Sequence, residues 1–334
     1  TGPRLGTGDL GETKRHCGWS SEMNWLSPPR VRAVLRVGSA LLGLGVTGWL
    51  LAMLWPEPDR VAQGAPPSAD QPETLAPYPE APVTVLVIGL DADRLGAPSN
   101  TAAPKGPANA DALLMLRIAS QEPLQVLHLP TELGVRLPGQ GDPGSLAQLW
   151  RRGGVSLVSD AVRDIVGLDE GDPKRYVVMP RAALRRLVDG LGEVEVLLGQ
   201  SYQRQDKTQG YSVNLQAGRQ SLNGVQAEQL VRYLPDPKNV SQRRQRQDIL
   251  VSALIEQVKA PSGIGVIPAL VAQMDTEIET NLSRSEQLSL AAAIIASPEP
   301  VAISRLPLAN RAGDQTLRQI KPEASRPLWP QPQP

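Results

Sequence analysis

Three arginines crowd positions 243–246 of the stretch SQRRQRQDILVSALIEQVK, directly against a run of aliphatic residues. The pattern predicts a helix over 241–259, turning about 100° per residue. Arg243, Arg246 and Gln247 then share a face with Leu250, Leu254 and Val258, while Arg244, Gln245, Asp248, Ser252, Glu256 and Lys259 take the opposite, solvated face. A guanidinium on an apolar face needs an anion. That anion is either a carboxylate of the protein or a phosphate or pyrophosphate, which the planar fork of Arg grips well. Two acids stand in suggestive places. Asp91 directly follows VLVIGL, at a strand end where α/β sheets place ligands, and Asp111 immediately precedes ALLMLRI. Paired carboxylates beside arginines suit Mg²⁺ bridging to a pyrophosphate, although Asp at a strand end is also ordinary turn chemistry.

The elements that must position these groups alternate between strand and helix patterns. VTVLVIGL (83–90) is a continuous β-rich apolar run, as a strand covered on both faces shows. ALLMLRI, LQVLHL, RYVVM, EVEVLL and YSVNL read as further strands. SLAQLWRR, VSLVSDAVRDIVGL, RAALRRLVDGLG and GVQAEQLVRY read as helices, some with glycine stops. The succession predicts an α/β domain over 83–308, a single mixed central sheet flanked by helices.

Before that domain, residues 37–55 (VGSALLGLGVTGWLLAMLW) carry no charge. At about 1.5 Å per residue they reach roughly 28 Å, the span of a bilayer's hydrocarbon layer. Arg30, Arg32 and Arg36 precede them, so the expected topology is a cytoplasmic tail (1–36), one transmembrane helix, and everything after it outside the cytoplasm. A cleaved signal peptide is the competing reading. Met23 reads as a plausible start, which would exclude His16 and Cys17. Residues 56–82 hold eight prolines and little aliphatic bulk, as an extended linker does, and 309–334 read as a similar unstructured tail.

Composition narrows the chemistry. The 34 basic and 34 acidic side chains cancel, against a general nucleic-acid binder. A single cysteine excludes an intramolecular disulfide, and the two histidines, His16 and His128, stand apart, as structural or incidental residues do.

In order along the chain, VLVIGLD, NADALLML, LHLPTELGVRLPG, LVDGLGEVEV, LQAGRQSLNGVQAEQLVRY, SQRRQRQ and IETNLS together resemble the LytR-CpsA-Psr (LCP) family over roughly 83–308. The resemblance implies a phosphotransferase outside the membrane, moving a glycopolymer from a polyprenyl pyrophosphate carrier onto cell wall, typically peptidoglycan, with Mg²⁺. It also implies a hydrophobic pocket for the carrier's tail. Carried over singly, Asp91 and Asp111 would hold Mg²⁺, and Arg232, Arg243 and Gln247 would contact the pyrophosphate with Arg246 beside them. Four positions depart from the family pattern: Thr131 stands at a family Arg, Glu132 at an Asp, Leu234 at an Arg and Val240 at an Asp. A family member that binds the lipid-linked precursor without chemistry is therefore the alternative to an active transferase.

Overall fold

A computed structural model describes residues 71–97, 106–137, 141–206, 211–236, 239–311, 313 and 315–330. The expected cytoplasmic tail, the membrane segment 37–55 and most of the linker lie outside the described residues. Among the described residues no single helix is long and apolar enough to cross a membrane.

Six strands form the central sheet. They are β1 (Val83–Leu90), β2 (Ala110–Ile118), β3 (Gln125–Leu129), β6 (Arg175–Met179), β11 (Glu279–Thr280) and β12 (Ala302–Arg305), in the order β11-β6-β1-β2-β3-β12. The β1–β6 and β3–β12 pairs are parallel and the other three antiparallel, so the sheet is mixed, as expected. Three two-stranded ribbons complete the β structure: β4 (Gly134–Val135) with β5 (Gly144–Ser145), β7 (Val194–Leu198) with β10 (Gly218–Leu222), and β8 (Tyr202–Asp206) with β9 (Tyr211–Leu215). β7 and β9, expected as strands of one sheet, belong to these separate ribbons.

Alternation along each strand assigns the two faces. Leu86, Ile88, Leu113, Met115, Leu127 and Leu129 pack on one side, against helix α1 (Leu146–Val166). Gly153 and Gly154 break α1 between the two helical stretches read from the sequence, and Gly154 sits at φ +57. The other side carries Val85, Leu114, Leu116 and Val126, covered by α4 (Val240–Lys259) and α6 (Arg284–Ala296). Helices α3 (Gly224–Arg232) and α5 (Pro261–Met274) pack on α4, and α2 (Arg181–Gly190) packs on α3 and α5.

Close approach of α3 to α2 depends on Gly224, where a Cβ would stand 2.3 Å from the Arg185 carbonyl oxygen. Asp189 of the LVD stretch anchors the start of α3, its Oδ1 accepting from the Gly224 amide at 2.7 Å. Asn223 caps the helix in a reciprocal box with Gln226.

Two expectations need correction. Part of the presumed tail is folded: Trp329 is fully buried in the core on the α1 side, and the Leu328 amide donates to the Val166 carbonyl at 2.7 Å. Its prolines masked this, because one large aromatic supplies the burial that the surrounding composition lacks. Nor is the second face of α4 solvated throughout, although Gln245 and Glu256 on it are exposed. Arg244 donates to both carboxylate oxygens of Glu132 at 2.8 and 2.9 Å, and Asp248 is buried. A helix packed on both sides defeats the one-face reading of its periodicity.

Candidate functional site

Between the sheet and helices α2, α3 and α4 lies a cavity of about 270 Å³. Its walls are largely aliphatic: Val87, Leu114 and Leu116 from the sheet, Leu184 and Leu187 from α2, and Leu250, Val251, Leu254 and Ile255 from α4. The polar lining includes Asp111, Arg181, Glu228, Arg232 and Gln247, toward the end of the sheet where β1 stops and β2 begins. From Ala112 to Leu116, four residues along β2, the floor runs roughly 13 Å into the apolar interior.

Asp111 faces the cavity because of a bulge. Gly89 pairs with Ala112 but Leu90 pairs with Ala110, so Asp111 is the extra residue. Strict alternation would turn it away from Ala112 and Leu114; a bulge re-aims a side chain in this way. Its Oδ1 accepts from Arg243 Nη1 at 2.6 Å, and Gln247 Nε2 donates to its backbone oxygen at 3.4 Å. Arg243 and Asp111 are thus each other's counter-ions, the protein-carboxylate alternative for this arginine. Yet the Arg243 Nε is buried without an acceptor, a donor left over that an anion oxygen satisfies.

Of the second charged group, Arg232 is expected from the sequence and the others are not. Glu228 accepts from Arg181 Nη1 at 2.7 Å, from Arg232 Nη1 at 2.8 Å and from Arg185. Arg185 also donates to Asp93 at 2.7 Å, and Arg181 Nε donates to the Asp91 carbonyl at 2.8 Å. Burial alone would raise the Glu228 carboxyl, but Arg185 and Arg181 outweigh it and hold the group below its ordinary range. Asp93 follows the same pattern, burial opposing and Arg185 prevailing. Arg232 also lies over the Tyr211 ring, 4.0 Å from its centroid. The Glu228–Arg232 pair spans four residues of one helix, a legible spacing; the contributions of α2 are long-range and left no local signal.

The structure brings Asp111, Arg232, Arg243 and Gln247 together and leaves Arg246 elsewhere. Its Nε donates to the Leu230 carbonyl at 3.1 Å and Nη2 donates to the Tyr233 carbonyl. The guanidinium lies 5.2 Å from the Tyr202 ring centroid and 5.1 Å from that of Tyr233. Carbonyl dipoles and two ring faces supply what the anion was expected to supply, and burial depresses its pKa. Arg246 ties α4 to α3 rather than lining the cavity.

Asp91 sits at the end of β1, its two oxygens accepting from Asn109 N at 2.8 Å and Asn109 Nδ2 at 2.9 Å. No set of three or more His, Cys, Asp or Glu side chains that could hold a metal occurs among the described residues. Magnesium, however, is commonly held by one or two carboxylates together with water and substrate phosphates. Asp111 Oδ2 makes no hydrogen bond to a described residue, so this donor set suits a metal shared with a ligand's phosphates and not a protein cage.

Comparison with known proteins agrees with this architecture. The LytR_cpsA_psr family model matches residues 61–325, a wider stretch than the motifs alone delimit. The polyisoprenyl-teichoic acid–peptidoglycan teichoic acid transferase TagU of Enterococcus faecalis is 23% identical over 212 residues, 63% of this chain and 65% of that protein. TagT of Bacillus subtilis, which bears the same transferase name, is 28% identical over 213 residues, 62% of each chain. The matches thus span just under two thirds of these curated relatives. The crystal structure of B. subtilis TagV has the same fold, with a TM-score of 0.58 at 17% identity, covering 74% of this chain and 92% of that one.

Proposed function

The chain belongs to the LytR_cpsA_psr family, and we propose that it transfers a glycopolymer from a polyprenyl pyrophosphate carrier to a peptidoglycan or other wall acceptor. The relatives are named for transfer of teichoic acid to peptidoglycan. One observation carries the reading to this chain: an aliphatic cavity with arginines at its rim, where Arg181 and Arg232 line it and the neighbouring Arg243 keeps an unsatisfied Nε. A greasy tail and a diphosphate head match those two halves.

In this reading the isoprenoid lies among Leu114, Leu187, Val251 and Leu254, burying apolar surface at about 25 cal/mol per Å². Arg232 and Arg181 meet the diphosphate, and Gln247 donates to it while holding the Asp111 backbone. Arg243 contributes its Nε without leaving Asp111. Asp111 and Asp91 would hold Mg²⁺, which when bound supplies positive charge to the diphosphate oxygens. The acceptor hydroxyl oxygen bonds to the polymer-side phosphorus as the bridging P–O bond breaks. The electron pair departs on the lipid phosphate, and the hydroxyl proton passes to water. Fixed cations that stabilise this spreading charge provide most of the acceleration. The membrane anchor at 37–55 would place the domain outside the cytoplasm, beside such a carrier.

The test uses the full chain with Mg²⁺ and a pyrophosphate-linked polymer donor, following release of polyprenyl phosphate. Release that Arg232→Ala abolishes supports transfer. Tight binding of the donor with no release would instead leave a carrier-binding protein.

A further inference from the structure

One titratable group in the cavity has no part in that scheme. His128 lies on β3, level with Leu114 of β2 and on the cavity face of the sheet. That is about 7 Å, two strand residues, inward from Ala112 at the rim. Its residue is 2% exposed, and its Nδ1 is 2.6 Å from Asp248 Oδ1 on α4. The other Asp248 oxygen accepts from Arg305 Nη2 at 2.6 Å and Nε at 3.2 Å; Arg305 is the register partner of His128 on β12. No described residue takes the remaining nitrogen, Nε2, and it is not among the sealed, unsatisfied polar atoms. Asp248 is the charged group in contact with the ring, with Arg305 on its other oxygen, and Asp111, Arg181, Glu228 and Arg232 line the same cavity.

We infer that His128, held by Asp248, is a phosphate-binding donor for the lipid-side phosphate, the group that leaves with the carrier. This rests on the proposed function and adds a contact to it. With both ring nitrogens protonated, Nδ1 donates to Asp248 and Nε2 is left to donate to a phosphate oxygen. A lone polar atom on an aliphatic floor, just inside a cationic rim, fits the one part of an amphiphilic diphosphate that is both anionic and next to the tail. The lipid monophosphate formed in the transfer gains charge as the bridging bond breaks, so a cationic donor there strengthens along the reaction. The chain thereby has a phosphate contact from β3 three residues before Thr131, where the family pattern has its arginine.

The experiment measures affinity of the full chain for polyprenyl monophosphate in detergent from about pH 5.5 to pH 9, for the native protein and His128→Gln. The ligand's own second ionisation, near pH 6, is common to both proteins and cancels in the comparison. Native affinity should exceed that of His128→Gln by about tenfold or more at the acid end and converge with it at the alkaline end, the range expected of one charged hydrogen bond. Identical affinities and pH profiles in two folded proteins would overturn the inference, leaving His128 a clamp between β3 and α4, while the carrier reading would stand. Failure of the native chain to bind any polyprenyl phosphate would overturn both. If His128→Gln does not fold, the ¹⁵N imidazole titration of the native chain decides: added monophosphate should raise the His128 pKa, and an unmoved titration sinks the proposal.

Discussion

Glu228→Gln isolates the rim's electrostatics. Glu228 is 6% exposed and accepts from three guanidiniums, two of them at 2.7 and 2.8 Å. Glutamine keeps the shape and one acceptor oxygen but removes the charge. Charge-assisted hydrogen bonds contribute about 1.5–3 kcal/mol each and neutral ones about 0.5–1.5, so the exchange costs about 1 kcal/mol per bond and about 3 in all. For a domain of this size that lowers the melting temperature by about 6–12 °C. The same change leaves Asp93 as an acid still paired with Arg181 and Arg185 and raises the local charge by one. Inorganic pyrophosphate should therefore stabilise Glu228→Gln more than the native chain, by an amount that grows with ligand concentration. Thermal unfolding with and without pyrophosphate reads both effects. A variant that melts with the native protein, or that gains no more from pyrophosphate than the native protein does, would refute the reasoning.

Other consequences follow from the same geometry. Asp111→Asn loosens Arg243 and weakens the proposed metal site, so polyprenyl phosphate release should fall by about a hundredfold and need more Mg²⁺; initial rates over a Mg²⁺ titration check this. Glu228, Asp93 and Asp248 have depressed carboxyl pKa values despite burial, and Glu286 falls to about 2 through its Ser283 and Arg175 contacts. The unfolded chain then binds more protons than the folded one, so this stability is fully present above about pH 4.5 and is lost as pH falls through the folded values; denaturant midpoints should drop progressively with acid. Trp329→Ala should cost about 3–5 kcal/mol, because the indole is fully buried in the core on the α1 side, and urea unfolding measures it.

Much of the fold was legible because its signals are local. The run 83–90 became β1 to the residue, and the helical stretches SLAQLWRR and VSLVSDAVRDIVGL are divided at Gly153 and Gly154. Strands β8, β10 and β12 were not read: QRQD, GRQSL and AISR lack the apolar runs or clean alternation that mark a strand, and pairing specifies them instead. At the site, helical periodicity put Arg243 and Gln247 on one face of α4, where the structure adds Asp111 to both, yet it gave Arg246 the wrong partner and Arg244 the wrong surroundings. The reason is the same for both arginines. Angle around a helix tells which residues share a side, whereas the groups that meet them, two tyrosines and Glu132, arrive from distant segments. His128 shows the converse limit: an isolated histidine in the sequence acquires Asp248 and Arg305 only through the sheet register and the docking of α4.

The central claim, that the aliphatic cavity and its arginine rim take a lipid diphosphate, is tested most directly by a crystal structure of the chain with a polyprenyl pyrophosphate. The account predicts an isoprenoid chain running past Leu114 toward Val251 and Leu254, with diphosphate oxygens on Arg181 and Arg232. Density for the diphosphate on another surface, with Glu228 still holding its three arginines and the cavity taking no tail, would contradict it.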